Sequence, residues 1–268
     1  MYSTIKVLMM LMILSPAKRQ RFSNKLLSDS ALEKWFTRPE WLMKAQKVVD
    51  LMKAYAPHEL ARVLRVSDAI AVREAGHFEA WDRKAVYPVA QPAVTTYDGD
   101  VYRALDVNTL DEKASFYLKD HLRIISVLYG VLRPFDLIQP HRVSFSTTAI
   151  KPDGTDFYHY WKKPIVASLN RALGKTENRV LVNLASQDFV KAVDLESLDG
   201  QMITPVFQER RGGVWRVLGL YAKRARGLMA RFAAEHAVTD ARSLQAFDCE
   251  GYTFDEAASG DTVWFFRR

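Results

Sequence analysis

The sequence predicts a mixed α/β fold, an α+β domain over residues 10–268 with a central mixed sheet flanked by helices. Three observations predict it. Ile5 to Leu14 and Val180-Leu-Val-Asn-Leu184 are predominantly apolar runs of buried-strand type. Helical spacing fills most of the chain between them. No regular βαβ period, internal repeat or Gly/Ser linker divides the chain, so it reads as one domain.

Taken in order, Ile5 to Leu14 is too short to span a bilayer, which needs about 20 residues. Lys6 at its start and Ser15-Pro16-Ala17 after it loosely imitate a signal peptide, but Lys18-Arg19-Gln20-Arg21 directly behind favours a strand. Residues 30–55 carry Leu32, Trp35, Phe36, Leu42, Met43, Val48, Val49 and Met52 at helical spacing. Pro57 opens a further helix, and Ser67-Asp68 caps the next, giving a helix–short turn–helix unit over 57–76. Asp98-Gly99-Asp100 is a turn before a short helical stretch. Residues 111–129 read as a helix ending at Gly130, and Pro134, Pro140 and Pro152 punctuate an irregular region. Phe157 to Leu173 is an amphipathic helix, and Ser186 is placed to cap a helix after the 180–184 strand. Met202 to Phe207 and Val214 to Tyr221 flank Arg211-Gly212-Gly213 as a hairpin, helix 223–237 follows, and 252–254 with 262–266 form a last strand pair.

Charge and cysteine content narrow the function. There are 38 Lys and Arg against 31 Asp and Glu, a net +7, which permits a polyanionic partner without requiring one. Residues 1–50 hold nine of the bases and four of the acids, so much of the excess lies there. The single Cys249 excludes a disulfide framework or cysteine zinc cage, suits a reducing cytoplasm, and has no neighbouring cation to activate it. The six histidines lack metal-ligand spacing, and neither a nucleophile elbow nor a phosphate-binding or dinucleotide glycine loop occurs. No metal, cofactor or membrane span is expected, and no catalytic residue is assigned.

Four constellations could carry chemistry. Tyr221-Ala-Lys-Arg-Ala-Arg-Gly-Leu-Met-Ala-Arg231 contains Lys223, Arg224, Arg226 and Arg231 without an acid. On a helix those four share an arc opposite Ala225, Leu228, Met229 and Phe232, either a solvated face or an anion-binding one. Lys18, Arg19 and Arg21 leave the first strand on an accessible loop, where they contact phosphates or protect a strand edge. At Asn183-Leu-Ala-Ser186, with Lys191 beyond, a strand meets a helix start, an anion-binding geometry that competes with a plain serine cap. Arg123, Tyr129 and Arg133 sit among apolar residues, where Asp136 offers Arg133 a structural ion pair.

Together these segments resemble one family, the YaaA peroxide-stress proteins of bacteria. The resemblance rests on Ile13-Leu-Ser-Pro-Ala-Lys18, Gly99-Asp-Val-Tyr102, Leu128 to Pro140, Asn183 to Ser186 with Lys191-Ala-Val193, and Ala222 to Arg231. Gly251 to Asp255 and Trp264 to Arg267 also fit, in order, to the chain end. It implies Met10 or Met12 as the start, with residues 1–9 an extension. It further implies a helix–hairpin–helix element, for which 57–76 is the natural place although its turn has no glycine. A positively charged cleft, cytoplasmic location, DNA binding and a role in limiting peroxide and iron damage are implied as well. Two stretches depart from the family pattern. Arg19-Gln20-Arg21 stands where Thr-Leu-Asp is usual, and His141-Arg-Val-Ser-Phe-Ser146 where Tyr-Arg-Leu-Glu-Met-Gly is usual.

Two functions are therefore expected. The first is non-specific binding of duplex DNA through Lys18, Arg19, Arg21, Lys223, Arg224, Arg226 and Arg231. The alternative is an enzyme for a small phosphorylated or nucleotide-like substrate. Its pocket would be drawn from Ser15, Lys18, Arg123, Tyr129, Arg133, Asn183, Ser186, Lys191 and Lys223. Direct iron sequestration has no ligand cluster behind it.

Overall fold

The computed structural model describes residues 10–23 and 32–268. β1 (Leu11–Leu14) has all four side chains buried, which is why it reads as an unbroken apolar run. The remainder of the expected first strand, 5–9, lies outside the described residues.

Of the helix expected over 30–55, a single turn at Glu33–Trp35 and α1 (Leu42–Lys53) are helical. Pro39 between them explains the break, since its ring cannot follow a helical turn; residues 30 and 31 are not among those described. α2 (Pro57–Leu64) and α3 (Asp68–Ala80) form the expected helix pair. Arg65 takes the left-handed position between them, φ 53°, where such turns favour glycine. Ser67 precedes α3 but makes no side-chain capping bond.

β2 (Gln91–Pro92), α4 (Ala93–Thr96) and α5 (Asp100–Leu105) follow. The helix expected over 111–129 is corrected. α6 (Glu112–His121) ends early and β3 (Leu122–Ser126) begins at the next residue. The β-branched pair Ile124-Ile125 is wholly buried in the sheet, and that burial overrides helical continuation. β4 (Gly130–Leu132) and β5 (Leu137–Ile138) complete this stretch.

α7 (Phe157–Leu173) and β6 (Val180–Asn183) fall where expected, and α8 (Gln187–Val190) is one turn long. β7 (Gln201–Arg211) and β8 (Val214–Arg216) form the hairpin across Gly212 and Gly213, whose φ angles of 59° and 80° suit a tight primed turn. Its return strand is shorter than the expected 214–221, because α9 (Gly219–Glu235) has already begun. β9 (Thr253–Asp255) and β10 (Val263–Arg267) are the expected final pair.

The strands form one mixed sheet in the order β4-β3-β1-β6-β7-β10-β9, with β8 on β7, and β2 pairs separately with β5. β3, β1, β6, β7 and β10 run parallel, while β4 and β9 are antiparallel. Helices surround the sheet, as the mixed α/β reading required. The parallel core puts the carboxyl ends of five strands along one edge.

Register then shows that β7 overhangs that edge. Ile13 is level with Asn183, and Val182 with Ile203, so Leu14 is level with Pro205. The six further residues to Arg211 carry the hairpin roughly 20 Å beyond the end of β1. α9 returns from this hairpin and crosses α5 closely. A Cβ at Gly227 would stand 2.0 Å from the Val101 carbonyl oxygen, so only glycine fits.

Candidate functional site

Open parallel sheets bind ligands outside their carboxyl ends, where strand order switches direction. Here the chain passes from β1 to β3 on one side and later to β6 on the other, which opens that crevice beside β1. The loops that fill it are joined. The Ser186 N–H donates to Ser15 Oγ at 2.8 Å, and the Ser15 hydroxyl faces Ser186 Oγ at 3.3 Å. Ser186 therefore does not cap α8 through its side chain; it fastens the exit of β6 to the exit of β1. Asn183 accepts from the Ala185 N–H at 3.0 Å and reaches Thr204 Oγ1 at 3.3 Å, so its buried amide braces this turn. On the other flank, the Tyr102 hydroxyl donates to the Ser15 carbonyl at 2.8 Å, docking α5 against the loop.

The expected cations divide into engaged and free. Arg19 and Arg21, with Arg103, converge on Asp98, whose side chain is 10% exposed. Arg103 first, then Arg19 and Arg21, hold that carboxyl below the usual range. Arg224 pairs with Glu250 at 2.6 Å. Arg231 donates to the carbonyls of Leu105 and Asp106 and to Thr109 Oγ1, closing the end of α5, and pairs with Glu235. The solvated four-cation face on this helix is thus corrected, because two of its members hold structure.

Arg226 differs from both. It is half-buried, its Nε is out of water, and it meets no acceptor among the described residues. Burial alone acts on it, lowering its pKa with no carboxylate in compensation. A guanidinium so placed is ready for an anion. Lys18, Lys191 and Lys223 are exposed, and no acid among the described residues pairs with them.

Arg123 and Arg133 do not join this edge. Arg123 turns back to the carbonyls of Lys119, Asp120 and Leu122. Arg133 forms the ion pair with Asp136 at 2.9 Å, as its neighbouring sequence suggested. Tyr129 is buried beneath the site, where its hydroxyl accepts from Trp81 Nε1 and the Gln139 N–H. Burial pushes this phenol up to about 12.

Three residues were missed from sequence. Arg210, Arg211 and Arg216 stand on the overhanging β7–β8 hairpin, exposed and without an acidic partner among the described residues. The available signal was the placement of three arginines around Gly212-Gly213, with only Glu209 nearby. Among the described residues no group of three His, Cys, Asp or Glu side chains could hold a metal, and no helix is long and apolar enough to cross a membrane.

The two stretches that depart from the family pattern meet here. Gln20 Oε1 accepts from the His141 N–H at 3.1 Å, and its amide nitrogen lies 3.4 Å from His141 Nδ1 and 3.5 Å from Nε2. Nδ1 faces the Gln139 carbonyl at 2.7 Å, which fits a neutral ring donating from Nδ1. Burial is the main cause that lowers the His141 pKa to about 4. Its folded pKa therefore lies below the unfolded value, so the linked stability is complete above about pH 6.5 and is lost as pH falls toward 4. The wild type should lose about 2 kcal/mol more than His141→Gln between pH 7 and 4.5, at roughly 1.4 kcal/mol per unit. Urea unfolding at both pH values measures this, and equal losses would refute it.

Residues 10–258 match the profile of the peroxide stress protein YaaA family. A UPF0246 protein of Chromobacterium violaceum is 40% identical over 259 residues, covering 97% of this chain and 99% of the relative. UPF0246 proteins of Neisseria meningitidis serogroup B and Albidiferax ferrireducens are 40% and 41% identical, each over 97% of this chain and 98% of their own length. With matching motifs along its whole described length, the chain belongs to the YaaA family of peroxide stress proteins.

Proposed function

We propose that this protein serves peroxide-stress defence in the cytoplasm by binding duplex DNA non-specifically along the carboxyl edge of its sheet. The observation that carries this reading is the row of unpaired cations on that edge: Lys18 after β1, Lys191 after β6, Arg210 and Arg211 at the end of β7, and Lys223 on α9. Such side chains neutralise phosphates without reading bases. Arg19 and Arg21 add to the row while Asp98 is shared among three partners. The α2–α3 turn, with Arg62 and Arg65 exposed, supplies a second backbone contact in the manner of a helix–hairpin–helix.

The link to iron follows from the same charge. DNA condenses cations, and a protein that neutralises phosphates displaces them. Ferrous iron would thereby be kept from the strand it damages. Thiol peroxidase chemistry is disfavoured, because burial first, and then Asp248, raise the Cys249 pKa.

Electrophoretic or fluorescence titration of a duplex across salt concentrations tests the reading. A straight fall of log affinity with log salt is expected, and Lys18→Ala/Arg211→Ala/Lys223→Ala together should flatten the slope by about 2.7, at roughly 0.9 per phosphate contact. Salt-independent binding, or an unchanged slope, would overturn it. Arg226 favours a second reading, a small phosphorylated substrate, since a half-buried guanidinium without an acceptor suits a compact anion better than a duplex. Under that reading Arg226→Met abolishes phosphate binding and leaves the DNA salt slope intact.

A further inference from the structure

Between α1 and α7 lies a cavity of about 420 Å³ that neither reading uses. That volume is within the range of small-molecule sites. Its apolar walls come from Trp41, Pro164, Ala167 and the ring of Tyr160, and its charged groups are all basic: Lys44, His159, Lys162 and Lys163.

The walls are held in place rather than free. Trp41 Nε1 donates to Ser168 Oγ at 2.9 Å, and Ser168 in turn donates to Glu40, which fixes the indole plane. The Tyr160 hydroxyl donates to the Lys44 carbonyl at 3.0 Å and ties the two helices across the cavity. Lys44 Nζ sits 3.8 Å from the centre of the Tyr160 ring. Pro164 has no N–H for the Tyr160 carbonyl, leaving an acceptor without its helical donor at the same wall.

The charges are only partly balanced locally. Asp153, the acid nearest Lys44 in effect, is engaged by Lys47 at 2.9 Å. Asp194 is 3.4 Å from Lys162. Lys163 and the His159 ring meet no acid among the described residues. Burial lowers the Lys44 pKa, the mark of a cation that lacks a close counter-charge. An apolar slot with a fixed indole wall and several lysines in its lining suits a flat ring that carries a dianion.

We propose that the α1–α7 cavity binds a phosphorylated ring compound of nucleoside-monophosphate size. The ring packs between Trp41 and Pro164, and the phosphate is taken by Lys163 with Lys44 and Lys162. Lysine serves here as a compact point charge, without the planar fork that reads a fixed geometry.

Calorimetric titration of the full chain with AMP, adenosine and inorganic phosphate tests it. AMP should bind one to one, with adenosine and phosphate each at least about tenfold weaker. Lys163→Ala should weaken AMP by about tenfold, the loss of one charge-assisted contact. Ala167 is exposed, so Ala167→Trp should fill the slot and abolish binding while the melting temperature is kept. No binding of AMP, phosphate as effective as AMP, or AMP binding that survives Ala167→Trp would each overturn the proposal. Loss of AMP binding in Arg226→Met alone would place the ligand at α9 and overturn it as well.

Discussion

Gly227→Ala is expected to destabilise the protein by about 3 kcal/mol, although alanine is the better helix former. The added methyl would stand 2.0 Å from the Val101 carbonyl oxygen and 2.9 Å from the Ala104 Cβ, at the crossing of α9 and α5. The nearer obstacle is backbone, which cannot rotate away as a long side chain would. The helices must separate, and α5 carries Tyr102, which holds Ser15, and Arg103, which holds Asp98. Gly76→Ala provides the opposite sign within the same fold. Gly76 lies inside α3 with nothing within 4 Å of an added Cβ, so alanine should stabilise by about 0.5–1 kcal/mol. Urea midpoints at unchanged m-value measure both, and a Gly227→Ala midpoint at or above wild type would sink the crossing argument.

Asp136→Ala should cost about 3 kcal/mol, near the lower end for breaking a buried ion pair. Asp136 is 1% exposed and accepts four contacts: the Arg133 N–H, Nε and Nη2, and the Thr37 hydroxyl at 2.6 Å. Arg133 is 44% exposed and can recover water, which is why the upper end is not expected. The backbone N–H and Thr37 cannot. Asp136→Asn should cost less than half as much, because it keeps acceptors and shape. Burial, outweighing Arg133, raises the Asp136 pKa, so a neutral head group is tolerated there. Equal losses for Ala and Asn would contradict this account.

Legibility from sequence followed locality. β1 and β6 were visible because parallel strands buried on both faces leave a near-continuous apolar run. α7 was visible because its apolar and polar positions alternate at helical spacing between Asp156, whose side chain caps it, and Gly174. The α6–β3 junction was hidden. No glycine, proline or loop separates His121 from Leu122, and apolar residues continue through both, so the pattern reads as one long helix. Only the neighbouring strand decides where the backbone extends, and the paired residues of β1 lie 110 positions earlier.

The site was half legible for the same reason. Ser15 and Ser186 carry a local signature of strand ends, yet their mutual bond spans 171 positions. The basic stretch of α9 was plain, but Glu250, Leu105 and Thr109, which engage Arg224 and Arg231, are remote in the chain. Free and engaged cations look identical until the fold assigns them partners. The hairpin arginines were visible as turn flanks; the register of β7 was needed to show that they stand beyond the sheet edge.

Asp98 also gives the corner of the sheet a form of exchange. One carboxylate holds three guanidinium groups, of which Arg19 and Arg21 are 62% and 69% exposed. Arg103 supplies its largest single hold and comes from the adjacent helix. An arriving phosphate can therefore draw away the two outer arginines while Asp98 keeps the inner one, so no charge is stranded on either side. The corner behaves as a loaded clasp, closed on its own acid at rest and able to pass two of its three cations to another anion without opening the fold.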